Sequence, residues 1–495
     1  MRVLVTGGSG VVGSSTITAL LQRGHAVTLL SRHADRDARG WPHGVTAAVG
    51  DVSDPATLAG CADGCTAVVH MAAIVEEQRP HTTFTRVNVE GTRNVVAEAE
   101  RAGVSRFVYV SSLGANRGES PYHRSKKAAE EIARTFGGDV VVLRPGAVYG
   151  PGDGHLSVML KLVRTLPVVP MVGDGSQQFQ PAWHEDIAEA IALSVERDDV
   201  IGRTLELAGA ELTTQRELFD LMRTLTNRSP LVAPVPEVLA SIGVKAAALL
   251  GIDAGVNDSQ LQMLVEGSVI PADVSNALTE VFGVEPTPLR TGITKLLDVQ
   301  PEHPLSEGIG AMRRKRYWAD IRGAEMGPDE LFALVRARFG QLMPSVVEPA
   351  AEPGTSSVIE EGATLTLALP LRGHVQVRVD ELELPLRRFT LVTVDGHPLA
   401  GAVRFQVEEH GETLRFAVEV HDRPATLADF VAMQTFGDAV QAGTWTQLVE
   451  NVVRESRGRA EVEHTSEELA PSEARAVEQW AEEIVLARRR DESGV

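Results

Sequence analysis

The stretch VSSLGANRGESPYHRSK, residues 110–126, carries Tyr122 and Lys126 four positions apart, so on a helix both side chains leave the same face. An ammonium beside a phenol favours the phenolate, and this spacing predicts a tyrosine tuned to exchange a proton near neutral pH. Upstream, Ser111 and Ser112 close the apolar run RFVYV. A hydroxyl there would hydrogen-bond the oxyanion that develops at a reacting carbonyl. Strand side chains alternate between faces, so one serine of the two points at a substrate, and Ser112 is the expected one. Taken alone, a tyrosine and a lysine at this spacing are also what a solvated helix carries. The elements around them have to decide.

Those elements are short apolar runs, RVLV, AVTLL, TAAV, AVVH, RFVYV and DVVVL, separated by stretches of helical periodicity. This is the pattern of an α/β, doubly wound parallel sheet covered on both faces, a Rossmann-like architecture. The first strand runs into TGGSGVVG, where Gly7, Gly10 and Gly13 open a helix. Glycines so placed make a tight turn, let backbone N–H groups approach a pyrophosphate, and let helix pack on strand. A bound dinucleotide is the expectation. At the end of the second strand an acid would bond the ribose 2′-hydroxyl, but Ser31 and Arg32 stand there and suit a 2′-phosphate, favouring NADP(H) over NAD(H). Asp51, in GDVSDP, can accept from the adenine amino group, while Ser53 or Asp54 with Pro55 starts a helix. In HMAA, small Ala72 and Ala73 leave room for a cofactor, and His70 reads as packed rather than catalytic.

Taken in order, TGGSGVVG, GDVSD, HMAA, NVEGTRNVV, YVSS, YHRSK and LRPGAVYGPGD resemble the extended or atypical short-chain dehydrogenase/reductase superfamily, which includes nucleotide-sugar epimerases. PVVPMVGDGSQQFQPAWHEDIAEAI and LTEVFGVEPTPLRTGI resemble the subgroup of the NADPH-binding accessory subunit of respiratory complex I. The resemblance covers about residues 1–300 and implies an NAD(P)-binding domain with a smaller substrate lobe over about 151–300. It implies Tyr122, Lys126 and Ser112 as catalytic residues, with Lys126 also on the nicotinamide ribose. It extends the cofactor surface to Val11, Val12, Val52, Ser111, Pro145 and Val148. The family's usual hydroxyl position holds Leu113 here, so two implications stand side by side: an NADP(H)-dependent oxidoreductase acting on a carbonyl or alcohol, and a non-catalytic NADPH-binding regulatory protein. An epimerase or dehydratase is a third. In the lobe, Gln180, Trp183, His184 and Asp186 are candidates, with Asp186 expected to serve the start of a helix.

The second half changes character. KRYWADIRG reads as a strand, GPDELFALVRARFG as an amphipathic helix, and five alternating runs between 364 and 422 as an antiparallel meander with one buried face, followed by helix. The element order over about 310–465 resembles the helix-grip fold of START-like domains, which implies an apolar ligand cavity or a plain packed core. Residues 466–495 read as a terminal helix with Ser472 as cap and Val477, Trp480, Ile484 and Ala487 on one side, able to dock on a domain or on a second subunit of a homodimer.

The formal net charge of −20 argues against nucleic acid as a partner, and the basic run MRRKRYW is expected at a solvated edge. Cys61 and Cys65 in CADGC suit a reducing compartment, no cluster suggests a metal, and no apolar run reaches the roughly 18 residues of a membrane span. VLASIGVKAAALLGI, interrupted by Lys245, falls short of it. Cytoplasmic residence is the expectation.

Overall fold

The computed structural model describes residues 1–41, 43–235, 269–369, 373–432 and 438–492. The six apolar runs become strands β1 (Arg2–Thr6), β2 (Ala26–Ser31), β3 (Val45–Val49), β4 (Ala67–His70), β5 (Arg106–Val110) and β6 (Asp139–Pro145), and a seventh, β7 (Thr204–Leu207), joins them. The sheet is wholly parallel, in the order β7-β6-β5-β4-β1-β2-β3. Alternate residues of each strand face opposite layers. Val3, Val5, Val27 and Leu29 pack against Ile17 and Leu20 of α1 (Val11–Gln22) and Ile187 and Ile191 of α5 (His184–Glu196). Leu4, Val68, Phe107 and Tyr109 pack against Val95 and Val96 of α2 (Gly91–Arg101) and Ala129 and Ala133 of α3 (Pro121–Ala133). Each fully buried aliphatic side chain contributes roughly 1.5–3 kcal/mol. The strand order reverses direction between β1 and β4, and the crevice outside their carboxyl ends is where such sheets hold ligands.

A smaller core gathers α4 (Leu156–Thr165), α6 (Gln215–Thr226) and α7 (Leu289–Asp298) around Leu160, Val163, Phe179, Trp183, Phe219 and Ile293. The expected lobe over 151–300 is thus interleaved with the main domain: α5 and β7 return to the parallel sheet, because their apolar residues fit its open face and edge.

The second half forms an eight-stranded antiparallel sheet. Its strands are β8 (Arg313–Ile321), β9 (Glu348–Pro349), β10 (Thr364–Leu369), β11 (Gly373–Glu383), β12 (Arg388–Thr393), β13 (Leu399–His410), β14 (Thr413–Pro424) and β15 (Glu463–Glu468), in the order β9-β10-β11-β12-β13-β14-β8-β15. One face is apolar. Val375, Val377, Phe389, Phe405, Phe416 and Val418 lie under α8 (Pro328–Ala337) and α9 (Asp438–Glu455), whose Leu448, Val449 and Val452 close the core. Phe389 stacks on Phe405 with centroids 4.6 Å apart, and Phe339 meets Phe405 edge-on at 5.4 Å, so aromatic rings fill the space between helix and sheet.

The basic run is a correction to its sequence reading. Instead of a solvated edge it forms β8, between β14 and β15, where Arg314 pairs with Glu467, Arg316 with Glu419 and buried Lys315 with Asp422. Edge strand β15, EHTSEE, has no apolar alternation, and its carboxylates are instead matched to that basic neighbour.

The opposite face of the sheet is polar and carries the first domain. Arg164 of α4, 5% exposed, forks onto Glu352 at 2.8 and 2.6 Å and bonds Gln376 and the Leu297 carbonyl. The terminal helix α10 (Pro471–Glu492) lays Val477, Trp480 and Ile484 against Leu305, Met312 and Val392, and its Arg488 bonds Asp380 and Glu302 at 2.5 Å. Residue 471 is already helical, so Ser472 is not the cap. Arg39, beyond β2, reaches Glu483 of α10 at 2.6 Å. Among the described residues no helix is long and apolar enough to cross a membrane. The stretch containing Lys245 lies outside them.

Candidate functional site

The turn after β1 is built for close approach. Gly7 has φ 74°, and a Cβ there would stand 2.7 Å from the Ala72 nitrogen; a Cβ on Gly13 would stand 2.1 Å from the Gly7 carbonyl oxygen. Gly10, exposed, would meet only that same carbonyl at 3.5 Å. Two glycines therefore serve the packing of the turn, and the third keeps its outer side clear. No side chain caps α1 at Gly10, which leaves the N–H groups of its first turn, at Val11, Val12 and Gly13, to an outside acceptor. That cradle fits a dinucleotide pyrophosphate, negative charge meeting the positive end of a helix of 12 residues.

Farther along the crevice, Arg32 is exposed and has no ion pair among the described residues. Ser31 is engaged locally, its hydroxyl donating to Asp37 at 2.7 Å and accepting from the His33 N–H at 3.1 Å. The Ser31 hydroxyl, expected at a 2′-phosphate, is thus engaged by a carboxylate six residues on. Asp51 accepts from the Ser53 N–H and hydroxyl with one oxygen, both at 2.8 Å, and keeps its other oxygen out of that turn. Val52 is buried, its carbonyl accepting from Asn94 at 2.9 Å, and Asp54 caps the turn that begins at Pro55. The Ala72 N–H donates to Thr6 Oγ1 at 3.2 Å, which ties the end of β4 to β1 and leaves the small face of Ala73 exposed. His70 is fully buried between Thr6 and Thr92, and burial pushes its pKa down to about 3, a packed imidazole.

At the end of β5, the Ser112 side chain stands close enough to Tyr122 to lower its pKa, against the larger effect of burial. Phe84 meets the Tyr122 ring edge-on at 6.2 Å, and Phe84 and Pro121 also line a groove of about 710 Å³ with Glu76, Glu77, Arg79 and Arg124. Lys126, 2% exposed, donates to the Val110 carbonyl at 2.8 Å and lies 4.7 Å over the Tyr109 ring. The electrostatics correct the sequence reading. Burial pushes Tyr122 up to about 12 and Lys126 down to about 7, against the opposing effect of Glu130. Desolvation disfavours both charged forms, so the phenol is a proton donor at neutral pH.

Ser111 departs from its expected place on the cofactor. Its hydroxyl donates to buried Glu130 at 2.6 Å. Leu113 is 2% exposed and packs with Ala208 and Ile270, its N–H donating to the Pro145 carbonyl at 2.9 Å. Val148 pairs in register with Ala182 beside the same loop. The lobe candidates are structural in their contacts: Gln180 bridges Gly209 and Ile270, Trp183 donates to Glu185, His184 meets Ser15 of α1, and Asp186 accepts twice from Thr287.

Two residues of this site escaped sequence reasoning. Asn88, 1% exposed, holds the Ile74 backbone on both its N–H and carbonyl and donates to Ser125 at 2.9 Å, locking the loop after β4 to α3. Its motif was in view, but only the fold brings it to Ser125. Glu130 stands one turn beyond Lys126, a spacing that was legible and went unused.

Residues 3–208 match the NAD dependent epimerase/dehydratase family. Among curated relatives, a ceramide reductase of Caulobacter vibrioides is 34% identical over 201 residues, 40% of this chain and 62% of that protein. A 2-alkyl-3-oxoalkanoate reductase of Stenotrophomonas maltophilia is 29% identical over 273 residues, 51% and 81% of the two chains. The mitochondrial NADH dehydrogenase [ubiquinone] 1 alpha subcomplex subunit 9 of Arabidopsis thaliana is 31% identical over 143 residues, 28% and 36%. The chain thus spans less than two thirds of the first and third of these relatives. Among solved structures, MoeE5 in complex with UDP-glucose and NAD aligns at 25% identity and TM-score 0.47, covering 60% of this chain and 98% of its own.

Proposed function

From residues 3–208, a domain of the NAD dependent epimerase/dehydratase family, we propose that the chain is an NADP(H)-dependent oxidoreductase that reduces a carbonyl of a small hydrophobic molecule. The observation that carries this reading is Ser112 beside Tyr122, with buried Lys126 four residues on, at the end of β5, two strands from β1, which leads into the glycine cradle. Two of the relatives are named as reductases of lipid-like carbonyl compounds, which supports a hydrophobic substrate.

The dinucleotide, when bound, supplies the hydride. The first turn of α1 holds its pyrophosphate, Arg32 a 2′-phosphate, Asp51 the adenine, and Lys126 the nicotinamide ribose. Ser112 bonds the substrate oxygen, and Tyr122, a neutral phenol, gives it the proton as the carbonyl carbon becomes tetrahedral. Carbonyl plus hydride plus proton gives the alcohol. The C-terminal domain acts in this reading as a docked scaffold, since aromatic side chains occupy the space under its helices.

Cofactor choice rests on Arg32. Arg32→Ala is expected to weaken NADPH binding about tenfold, the worth of a hydrogen bond to a charged group, and NADH less than twofold. Fluorescence titration with both nucleotides measures it, and equal losses would sink the NADP(H) preference.

One observation favours a second reading. Leu113 fills the family's hydroxyl position and is packed inward, and a relative is a complex I subunit, so an NADPH-binding regulatory protein is the competitor. Tight NADPH binding with no NADPH oxidation across aldehydes, 3-oxoacyl compounds and ketolipids would favour it over the reductase.

A further inference from the structure

Ser112 lies between two residues that are each held by a charged side chain, and those charges belong to one chain that runs from buried Glu130 to exposed Arg117. On one side, Ser111 Oγ donates to Glu130 Oε1 at 2.6 Å, and the Ser111 N–H donates to the Leu143 carbonyl at 2.7 Å. Glu130, 1% exposed, is gripped by Arg144 through two bonds of 2.8 Å and by Arg134 through a third of 2.8 Å. Arg144, on β6, lies 3.6 Å from Glu206 of β7, itself 7% exposed. Glu206 is forked by Arg117 at 3.1 and 3.2 Å, and Arg117 returns to the starting loop by donating to the Leu113 carbonyl at 3.1 Å. The circuit therefore leaves the loop at Ser111 and re-enters it at Leu113, with Ser112 between.

We propose that Glu130, Arg144, Glu206 and Arg117 form a clamp of positioning residues that turns Ser111 and Leu113 inward and so presents Ser112 to Tyr122. The reason is geometric. Alternation along a strand puts residues 111 and 113 on one side and 112 on the other; beyond Val110 the Ser111 and Leu113 N–H groups still bond the Leu143 and Pro145 carbonyls of β6, and the side-chain clamp holds the same register, since a one-residue slip would offer Ser111 or Leu113 in place of Ser112. Turning the loop over would break the Ser111–Glu130 bond and the Arg117 bond to the Leu113 carbonyl, and a buried carboxylate that gives up a hydrogen bond is costly. The same clamp accounts for a leucine in the hydroxyl position: held against Ala208 and Ile270, Leu113 is a packing residue, and the hydroxyl is supplied one residue earlier.

This role rests on the reductase reading, so the test has one arm that does not. Ser111→Ala releases one jaw without changing charge, and Arg117→Ala releases the other from a side chain that is 37% exposed, leaving Glu206 near Arg144. In protein carrying 13Cζ-tyrosine, the chain's four tyrosines give four resonances, and Tyr122→Phe assigns the one that matters. Ser112→Ala moves that resonance by removing the hydroxyl beside the phenol. Ser111→Ala and Arg117→Ala are expected to move it the same way, and to lower kcat for carbonyl reduction about tenfold with NADPH affinity unchanged, the cost of a misplaced group. Because the two jaws act on one serine, the double variant should be no worse than about twice the poorer single one. A Tyr122 resonance at its wild-type position in both variants, with Ser112→Ala displaced, overturns the clamp whether or not the protein turns over any carbonyl. Turnover that survives Tyr122→Phe overturns the reductase reading and leaves the resonance arm to stand on its own.

Discussion

Tyr122→Phe is expected to lower NADPH-dependent carbonyl reduction by at least about a hundredfold while NADPH affinity stays within about twofold, since general acid catalysis contributes factors of this size and the ring keeps its packing. Phenylalanine preserves the edge contact with Phe84 and loses only the hydroxyl beside Ser112. Stopped-flow reduction with a responsive ketone, alongside fluorescence titration of cofactor, separates the two quantities. Comparable losses in both would mean that the tyrosine serves the nucleotide pocket instead of the proton. The pH dependence sharpens the assignment. With Tyr122 pushed up to about 12, it stays a phenol through neutrality and contributes no limb there. Lys126, pushed down to about 7 by burial, loses its proton as pH rises through neutrality. Groups facing it are Glu130, His70 and Tyr109, of which only Glu130 carries charge at that pH. Because kcat/KM for NADPH reports the free enzyme, it should hold below about pH 7 and decline above it. A flat profile from pH 6 to 9 would remove Lys126 from cofactor binding.

Arg164→Ala should be the most destabilising single change in the contact between the two halves, costing about 3–5 kcal/mol, the range for removing one partner of a buried ion pair. It strands Glu352, 2% exposed, with only His374 nearby at 3.3 Å, and frees Gln376 and the Leu297 carbonyl. Burial raises the Glu352 carboxyl, but His374 and Arg164 outweigh it and hold the group below its ordinary value. A carboxyl lowered on folding adds stability above its unfolded pKa of about 4.3, and that stability is lost as pH falls through the folded value. Without Arg164 the same carboxyl rises, so the destabilisation should be largest above about pH 5 and shrink in acid. Calorimetry of both proteins at pH 7 and pH 4 checks the magnitude and the sign. Arg164→Met with Glu352→Leu should recover most of the loss, since replacing both ions by apolar groups is often neutral. A single variant that melts like the wild type would show that the ion pair does not fasten the halves together.

How much of this was legible beforehand differs along the chain. The six parallel strands were visible because residues buried on both faces make continuous apolar runs, whereas β7, TLEL, carries Glu206 for the charge chain and breaks the pattern. The meander was legible from its alternation, and β15 was not, because its partners are charges on another strand.

The same division runs through the candidate site. Spacing alone put Tyr122 and Lys126 on one helical face, and glycine alone placed the phosphate cradle, because both depend on local geometry that a helix or turn imposes wherever it occurs. The fate of the polar groups depended on partners far away in sequence. Asp37 took Ser31, Glu130 took Ser111, Thr287 took Asp186, and burial set the protonation of Tyr122 and Lys126 against the expectation from their charges. A hydrogen bond or a desolvation cost is decided by what the fold brings within about 3 Å, and only the tertiary structure sets that. Local geometry therefore put Tyr122 and Lys126 on one helical face, and only packing sent Ser111 to Glu130 and Leu113 against Ala208 and Ile270.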